Sequence, residues 1–167
     1  MPEARDSTPT AHLMCGLVAA GKSTYARALA IERQAFYASL DAWMLQLHGI
    51  RFHEPEYAPL ADRCRLQIWD AAEQVLGLGP DAVLDWTFWH PERRRAWKGR
   101  IEAAGFAVQL YFIDVTVETA IERAARRVEE GDPSSYLLSE ADVREHAAIF
   151  VRPSQDEGIA MTVVRDT

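Results

Sequence analysis

Eight residues near the N-terminus, Gly16 to Ser23, read GLVAAGKS and have the types and spacing of a phosphate-binding loop, or P-loop. Its glycines let the backbone curl so that N–H groups point at phosphate oxygens, and the following helix offers its positive N-terminus. Lys22 is expected to reach the outer phosphates of a nucleoside triphosphate, and the Ser23 hydroxyl to bind Mg²⁺. The residues predicted to contact the nucleotide are Gly16, Leu17, Val18, Ala19, Ala20, Gly21, Lys22 and Ser23.

Acidic residues stand at the ends of three further predicted strands. Asp41 follows AFYASL, Asp85 lies near the end of AVLDW, and Asp114 ends VQLYFID. We expect Asp41 to orient an acceptor hydroxyl and take its proton, and Asp85 to hold Mg²⁺ directly or through water. Asp114 is expected to be mainly structural. Two simpler interpretations stay open: Asp41 caps a turn, and Asp85 caps the helix near Pro91.

Three arginines precede the polar stretch EEGDPSSY. Arg123 and Arg127 lie four residues apart on one predicted helix face, with Arg126 beside them. Cations delivered from a mobile segment would stabilise charge on transferring phosphoryl oxygens. We therefore predict a lid over about residues 127–139, although a solvated helix face with glutamate partners would explain the same residues.

A second group of arginines occupies the first turn of a predicted helix, where the helix dipole disfavours cations. It consists of Arg93, Arg94 and Arg95, and we expect at most one of them to face the ligand. The tryptophans at positions 43, 86 and 89 are expected at the same edge, as a wall for the acceptor or as scaffold. The histidines at positions 48, 53 and 90 lack metal-ligand spacing, so no metal besides Mg²⁺ is predicted.

The elements that must position these residues alternate between short apolar strands and amphipathic helices. This alternation predicts an α/β fold with a parallel sheet covered by helices on both faces, whose ligands lie at the carboxyl ends of the strands. The strands are expected at TAHLMC, AFYASL, AVLDW, VQLYFID and IAMTVV. The segment from Ala42 to Pro59 is expected to be a substrate-side loop. Residues 1–9 are expected to be flexible.

Composition narrows the classes of function. The 167 residues suit one domain, and a net charge of −7 disfavours a nucleic-acid partner. Two cysteines without disulfide or zinc spacing are typical of a reducing compartment. Because no apolar leader or membrane-length stretch is present, a cytoplasmic location without membrane association is predicted.

With Asp41, VLDWTFWHPERR and DVTVETAIERAARR in view, the chain resembles the small P-loop kinases of the AAA_33 group, which include chloramphenicol-phosphotransferase-like and zeta-toxin-like proteins. The resemblance implies a three-layer P-loop kinase domain over residues 1–167, with strand order 2-3-1-4-5. It also implies ATP and Mg²⁺ at the P-loop and Thr24, the acceptor at Asp41, and lid roles for Arg123 and Arg127. Related polynucleotide kinases tend to have an arginine where this chain has Met44, a further argument against a nucleic-acid acceptor.

Two functions remain open from the sequence. The first is an ATP- and Mg²⁺-dependent phosphotransferase acting on a hydroxyl of an unidentified small molecule, of which a toxin-like kinase of a sugar nucleotide is a special case. The second is a regulatory nucleotide-binding module or NTP hydrolase with a protein partner. Both use the P-loop, and only the first needs Asp41 beside an acceptor.

Overall fold

The core of the protein is a parallel sheet that brings the carboxyl end of every strand to one edge. The computed structural model describes residues 8–131 and 136–165, and in this part of the chain five strands pair in the order β2-β3-β1-β4-β5. The strands are β1 (Thr10–Gly16), β2 (Phe36–Ser39), β3 (Ala82–Asp85), β4 (Ala107–Asp114) and β5 (Ala160–Arg165). The α/β fold and the strand order predicted from the sequence are confirmed.

Helices follow the strands in the alternation that the sequence predicted. They are α1 (Lys22–Arg33), α2 (Leu40–His48), α3 (Tyr57–Gly77), α4 (Pro91–Ala103), α5 (Val117–Glu130) and α6 (Glu140–Ile149). A capping box forms at α6, where the Ser139 hydroxyl accepts from the Asp142 N–H at 3.2 Å and the Asp142 carboxylate accepts from the Ser139 N–H at 2.8 Å. A short 3₁₀ turn, Gln155–Glu157, precedes β5.

The segment predicted as a substrate-side loop, Ala42 to Pro59, is only partly a loop. Helix α2 begins directly after β2, because the Ser39 side chain accepts from the Ala42 N–H at 3.3 Å and caps it. Gly49 ends α2 in the left-handed conformation with φ 64°. The prediction was wrong here because Ser39, the capping residue, was assigned to the interior of a strand.

The two faces of the sheet bury different side chains of β1, because successive residues of a strand point to opposite sides. Leu13 and Cys15 pack in a core with residues of α3 and α4, whereas Met14 packs with Ala26 and Leu29 of α1. Helices therefore cover both faces, as predicted from the near-continuous apolar runs of the strands.

A buried ion pair joins α4 to the turn before β5. The side chain of Arg94 is fully buried, and its Nε and Nη2 donate to the Glu157 carboxylate at 2.6 and 2.7 Å. Arg94 also donates to the carbonyls of Phe88 and Val151, at 2.6 and 3.0 Å. Of the three first-turn arginines, Arg94 is therefore a structural residue.

Some sequence predictions fall partly outside the described residues. Positions 1–7 and 132–135 lie outside the described residues. They hold most of the N-terminal segment that was predicted to be flexible and the centre of the predicted lid. Pro9 accepts a hydrogen bond from the Ala107 N–H at 3.0 Å. None of the helices in the described ranges combines the length and apolar character needed to cross a bilayer.

Candidate functional site

The P-loop has the curled backbone that its glycines predicted. Gly16 and Gly21 have φ angles of 151° and 97°, and Ala19 between them also has a positive φ of 58°. A Cβ on Gly16 would lie 2.7 Å from the Ile113 carbonyl oxygen, so a larger residue does not fit there. No side chain caps the N-terminus of α1 at Gly21. Helical N–H groups at that end are thus available to an anion such as a phosphate.

Two cations donate hydrogen bonds to backbone carbonyls of the P-loop. The Lys22 ammonium donates to the carbonyls of Gly16 and Leu17, at 3.2 and 2.6 Å. Arg123 reaches from α5 and donates to the Ala20 carbonyl. Burial lowers the pKa of Lys22, and the carboxylates of Asp85 and Asp41 oppose that shift. Both cations lie where a triphosphate would contact the loop.

A cavity of about 570 Å³ opens from the P-loop and extends between α3 and the β3–α4 segment. The predicted site residues that line it are Val18, Ala19, Ala20, Gly21, Lys22, Ser23, Thr24, Asp41, Asp85 and Arg127. A smaller cavity of about 330 Å³, on the α5 side of the P-loop, is lined by Arg123, Arg126 and Arg127 together with Gly21 and Thr24. The predicted residues therefore line two spaces, and Gly21, Thr24 and Arg127 line both.

Asp41 lies in the first turn of α2 and faces the larger cavity. Loss of hydration there, with repulsion from the Asp85 carboxylate, raises the pKa of Asp41 to about 6. Lys22, Arg65 and Arg127 oppose the rise, so all these charges lie within electrostatic range. A carboxylate with a pKa near neutrality is suited to accept a proton from an acceptor hydroxyl.

Asp85 ends β3 and is buried next to the same cavity. The Tyr37 hydroxyl donates to Asp85 Oδ2 at 2.9 Å, which orients the carboxylate. A carboxylate has further lone pairs, so Asp85 and the Ser23 hydroxyl together fit the oxygen ligands that Mg²⁺ prefers. These two residues would hold the ion.

The sequence left open two simpler interpretations, a turn cap for Asp41 and a helix cap for Asp85. Neither carboxylate has that role. Ser39 caps α2 in place of Asp41, and α4 begins after His90 with no side-chain cap. Asp114 was expected to be mainly structural. It does not line either cavity and pairs with Arg152 at 2.8 Å.

The first-turn arginines and the tryptophans divide between site and scaffold. Arg93 lines the larger cavity, and Arg95 is exposed outside it. Trp86 and Trp89 line the cavity as predicted, but Trp43 packs against the core and does not. Trp86 is 3% exposed, stacked on Phe88 with ring centroids 5.6 Å apart.

Sequence reasoning missed a buried cation of the cavity. Arg65 of α3 lines it and is 7% exposed, and its Nη1 donates to Asp62 at 2.6 Å. The signal was present, because Arg65 lies four residues after Ala61 on the apolar stripe of α3, where a cation is unusual.

An aromatic wall was also missed, because it is assembled from segments distant in the sequence. Phe52, Tyr57 and Tyr136 line the cavity, with ring centroids 5.8 Å apart for Phe52 and Tyr136 and 5.9 Å for Tyr57 and Tyr136. The Tyr136 hydroxyl donates to the Ile50 carbonyl at 2.9 Å. Tyr136, near the end of the predicted lid, thus docks onto the segment that follows α2.

Two buried N–H donors in the cavity wall lack partners among the described residues. They are Arg65 Nε and Trp86 Nε1. An unpaired buried donor costs roughly 1–3 kcal/mol, so buried polar groups are rarely left unsatisfied in folded proteins. Both residues line the cavity, but neither N–H group is exposed on its surface.

The parallel sheet and the loop after its central strand define a P-loop protein with the nucleotide-binding kinase fold. More particularly, the chain belongs to the AAA_33 family, described as an AAA domain, whose sequence pattern matches residues 12–153. No curated protein matches the chain by sequence.

Three solved structures of similar fold illustrate the likeness. Two are described as kinases, and the third contains a nucleotide. A candidate kinase of Chloroflexus aurantiacus J-10-fl is 20% identical, with a TM-score of 0.71 over 95% of this chain and 89% of the other. Chaetomium thermophilum Kti12, solved with ADP-AlF3, is 18% identical, with a TM-score of 0.70 over 93% and 88%. A gluconokinase of Sinorhizobium meliloti 1021 is 15% identical, with a TM-score of 0.63 over 95% and 83%. At these identities the likeness is one of fold.

Proposed function

We propose that this protein is an ATP- and Mg²⁺-dependent phosphotransferase that moves the γ-phosphate to a hydroxyl group of a small molecule. The observation that carries the proposal is the cavity of about 570 Å³ that joins the P-loop to Asp41. Its volume is within the range of small-molecule sites, whereas hydrolysis needs room only for water. The raised pKa of Asp41, about 6, also suits a proton acceptor.

Each residue has a role in the transfer. The acceptor oxygen forms a bond to the γ-phosphorus, its proton moves to Asp41, and the bond to the oxygen bridging the β- and γ-phosphorus breaks, releasing ADP. Lys22, Arg123 and Arg127 stabilise the charge on the transferring group, and Thr24 and Arg126 help hold the donor. When bound at Ser23 and Asp85, Mg²⁺ neutralises part of the phosphate charge.

The test is a screen for label transfer from [γ-³²P]ATP to a panel of hydroxyl compounds. Asp41→Asn is expected to lower kcat by about a hundredfold or more for any compound that is labelled, because the orienting base is lost. ATP affinity, measured by calorimetry, is expected to persist in Asp41→Asn and to fall in Lys22→Ala. Asp70→Asn, an exposed position of α3, is the matched control and should retain activity.

Two outcomes would contradict the proposal. One is an Asp41→Asn variant that transfers phosphate at the wild-type rate. The other is phosphate release to water that no hydroxyl compound changes, which would favour the regulatory NTP hydrolase with a protein partner. Adenine as the donor base and a cytoplasmic location are parts of the proposal and rest on the sequence.

A further inference from the structure

The cavity has two sides that carry different sets of cations. Because β1 is central in the sheet, α5 lies on its β4 side and supplies Arg123, Arg126 and Arg127 next to the P-loop. The helices α3 and α4 supply Arg65 and Arg93, and both arginines line the larger cavity with Asp41. The phosphates of a nucleotide already have Lys22 and the α5 arginines, which leaves the second pair without an assigned partner.

The arginines of this second pair are placed unfavourably in the absence of a ligand. Burial lowers the pKa of Arg65, and the next cause is repulsion from Arg93, so the two guanidinium groups lie within electrostatic range. In the described part of the chain, Arg65 pairs with Asp62, whose side chain is 71% exposed and therefore well screened by water. Arg93 Nη1 makes a long hydrogen bond of 3.4 Å to the Thr87 carbonyl.

Unpaired donors occur at the same wall. Arg65 Nε and Trp86 Nε1 are buried and have no hydrogen-bond partner in the described ranges, and both residues line the cavity. The Trp86 ring is held by Phe88 and by Trp97, with centroids 5.6 and 5.1 Å away. The two guanidinium groups that line the cavity, those of Arg65 and Arg93, carry donors only, which is the set that an oxyanion requires.

We propose that Arg65 and Arg93 bind an oxyanion of the acceptor, a phosphate monoester or a carboxylate, so that the substrate is an anionic alcohol. This inference rests on the proposed function and specifies its substrate class. The oxyanion would be held at the α3–α4 side while a hydroxyl of the same molecule meets Asp41. Guanidinium groups match both phosphate and carboxylate, so the shared chemistry is a multivalent hydrogen-bond acceptor with negative charge.

Binding can be tested without knowing the acceptor. The protein is saturated with a non-hydrolysable ATP analogue and Mg²⁺, which fills the P-loop, and is then titrated with inorganic phosphate and separately with acetate by calorimetry. We expect saturable binding of at least one of the two, weakened about tenfold or more in Arg93→Gln. Arg95→Gln removes the same charge two residues away, at an exposed position outside the cavity, and should bind as wild type.

Arg65 needs a milder change because it is buried. Arg65→Lys keeps the charge but loses the forked guanidinium donors, and we expect it to bind the oxyanion several-fold more weakly. Thermal unfolding of each variant establishes that it folds. Absence of saturable binding in the wild type, or equal binding in wild type and Arg93→Gln, would overturn the oxyanion site.

Acceptor pairs separate this proposal from the function on which it rests. Alcohols are compared with their own phosphate monoesters and with the corresponding hydroxy acids in the label-transfer assay. Arg93→Gln should raise KM for the anionic member by about tenfold and leave the neutral member unchanged. Labelling of neutral alcohols alone would overturn the oxyanion site and leave the kinase function standing. Oxyanion binding without transfer to any alcohol would do the reverse.

Discussion

At the scale of single residues, the site combines one carboxylate of raised pKa with several cations that do not fully compensate it. Asp41 stays partly accessible to the cavity, yet lost hydration and the Asp85 carboxylate raise its pKa to about 6. The position after the second strand made Asp41 a candidate from the sequence. Its pKa was not predictable, since it depends on Asp85 and Arg65, which reach it from other elements.

Substitution of Asp41 should stabilise the protein while it abolishes function. The folded-state pKa of about 6 exceeds the unfolded value of 3.8, so the folded protein holds this proton more tightly and loses stability as the pH rises from about 4 to about 6. Above that window the charged form costs about 3 kcal/mol, at 1.36 kcal/mol per pKa unit. Asp41→Asn is neutral at every pH and should be about 1–3 kcal/mol more stable than wild type at pH 8.

Urea unfolding of the nucleotide-free protein at pH 4.5 and pH 8 measures this difference. The stability gain of Asp41→Asn should be large at the higher pH and small at the lower one. A gain of equal size at both values would mean that Asp41 does not change its charge between them.

At the scale of elements, the acceptor side of the cavity depends on segments that meet only in the folded chain. The segment after α2 contacts Tyr136, which precedes α6, and Asp142 in the first turn of α6. The Tyr136 hydroxyl donates to the Ile50 carbonyl, and His53 Nε2 lies 3.0 Å from Asp142 Oδ1. The strands and most helices were predicted because periodicity is local. The two residues in the first of these contacts are 86 positions apart in the sequence, and those in the second are 89 positions apart. The sequence carries no local signal for contacts over such separations.

Helix α6 should depend measurably on its capping box. Ser139→Ala removes the acceptor for the Asp142 N–H and should lower the free energy of unfolding by about 1 kcal/mol. Ser139→Thr keeps an accepting hydroxyl and should remain within a few tenths of a kcal/mol of wild type. Chemical denaturation of wild type and both variants measures these free energies of unfolding. An equal decrease in both variants would show that the capping oxygen does not stabilise the helix.

At the scale of the whole molecule, the carboxyl edge of the sheet carries the candidate site, and a buried ion pair joins α4 to the turn before β5. The α/β class followed from alternating apolar strands and helices, and the strand order from the resemblance to small P-loop kinases; the structure confirms both. The Arg94–Glu157 pair could not be predicted, because its partners are 63 residues apart and Arg94 lies beside Arg93 and Arg95 in an apparently uniform run. Only burial distinguishes the three.

Breaking this pair from one side should be costly. Arg94→Met leaves the Glu157 carboxylate buried without its cation, and the expected loss is about 3–5 kcal/mol. The double variant Arg94→Met with Glu157→Gln should lose less than the sum of the two single variants, because the second change removes the stranded charge. A double-mutant cycle by urea unfolding measures the coupling, and strict additivity would exclude an interaction between the two side chains.

The bonds that Lys22 makes to its own loop affect how the protein meets its nucleotide. The ammonium occupies the carbonyls of Gly16 and Leu17 at 3.2 and 2.6 Å, and so it holds the curled backbone before any phosphate arrives. Binding then becomes an exchange of hydrogen-bond partners by one flexible side chain instead of the ordering of a loop. Because these bonds already order the loop, its backbone has little conformational entropy to lose when a phosphate binds.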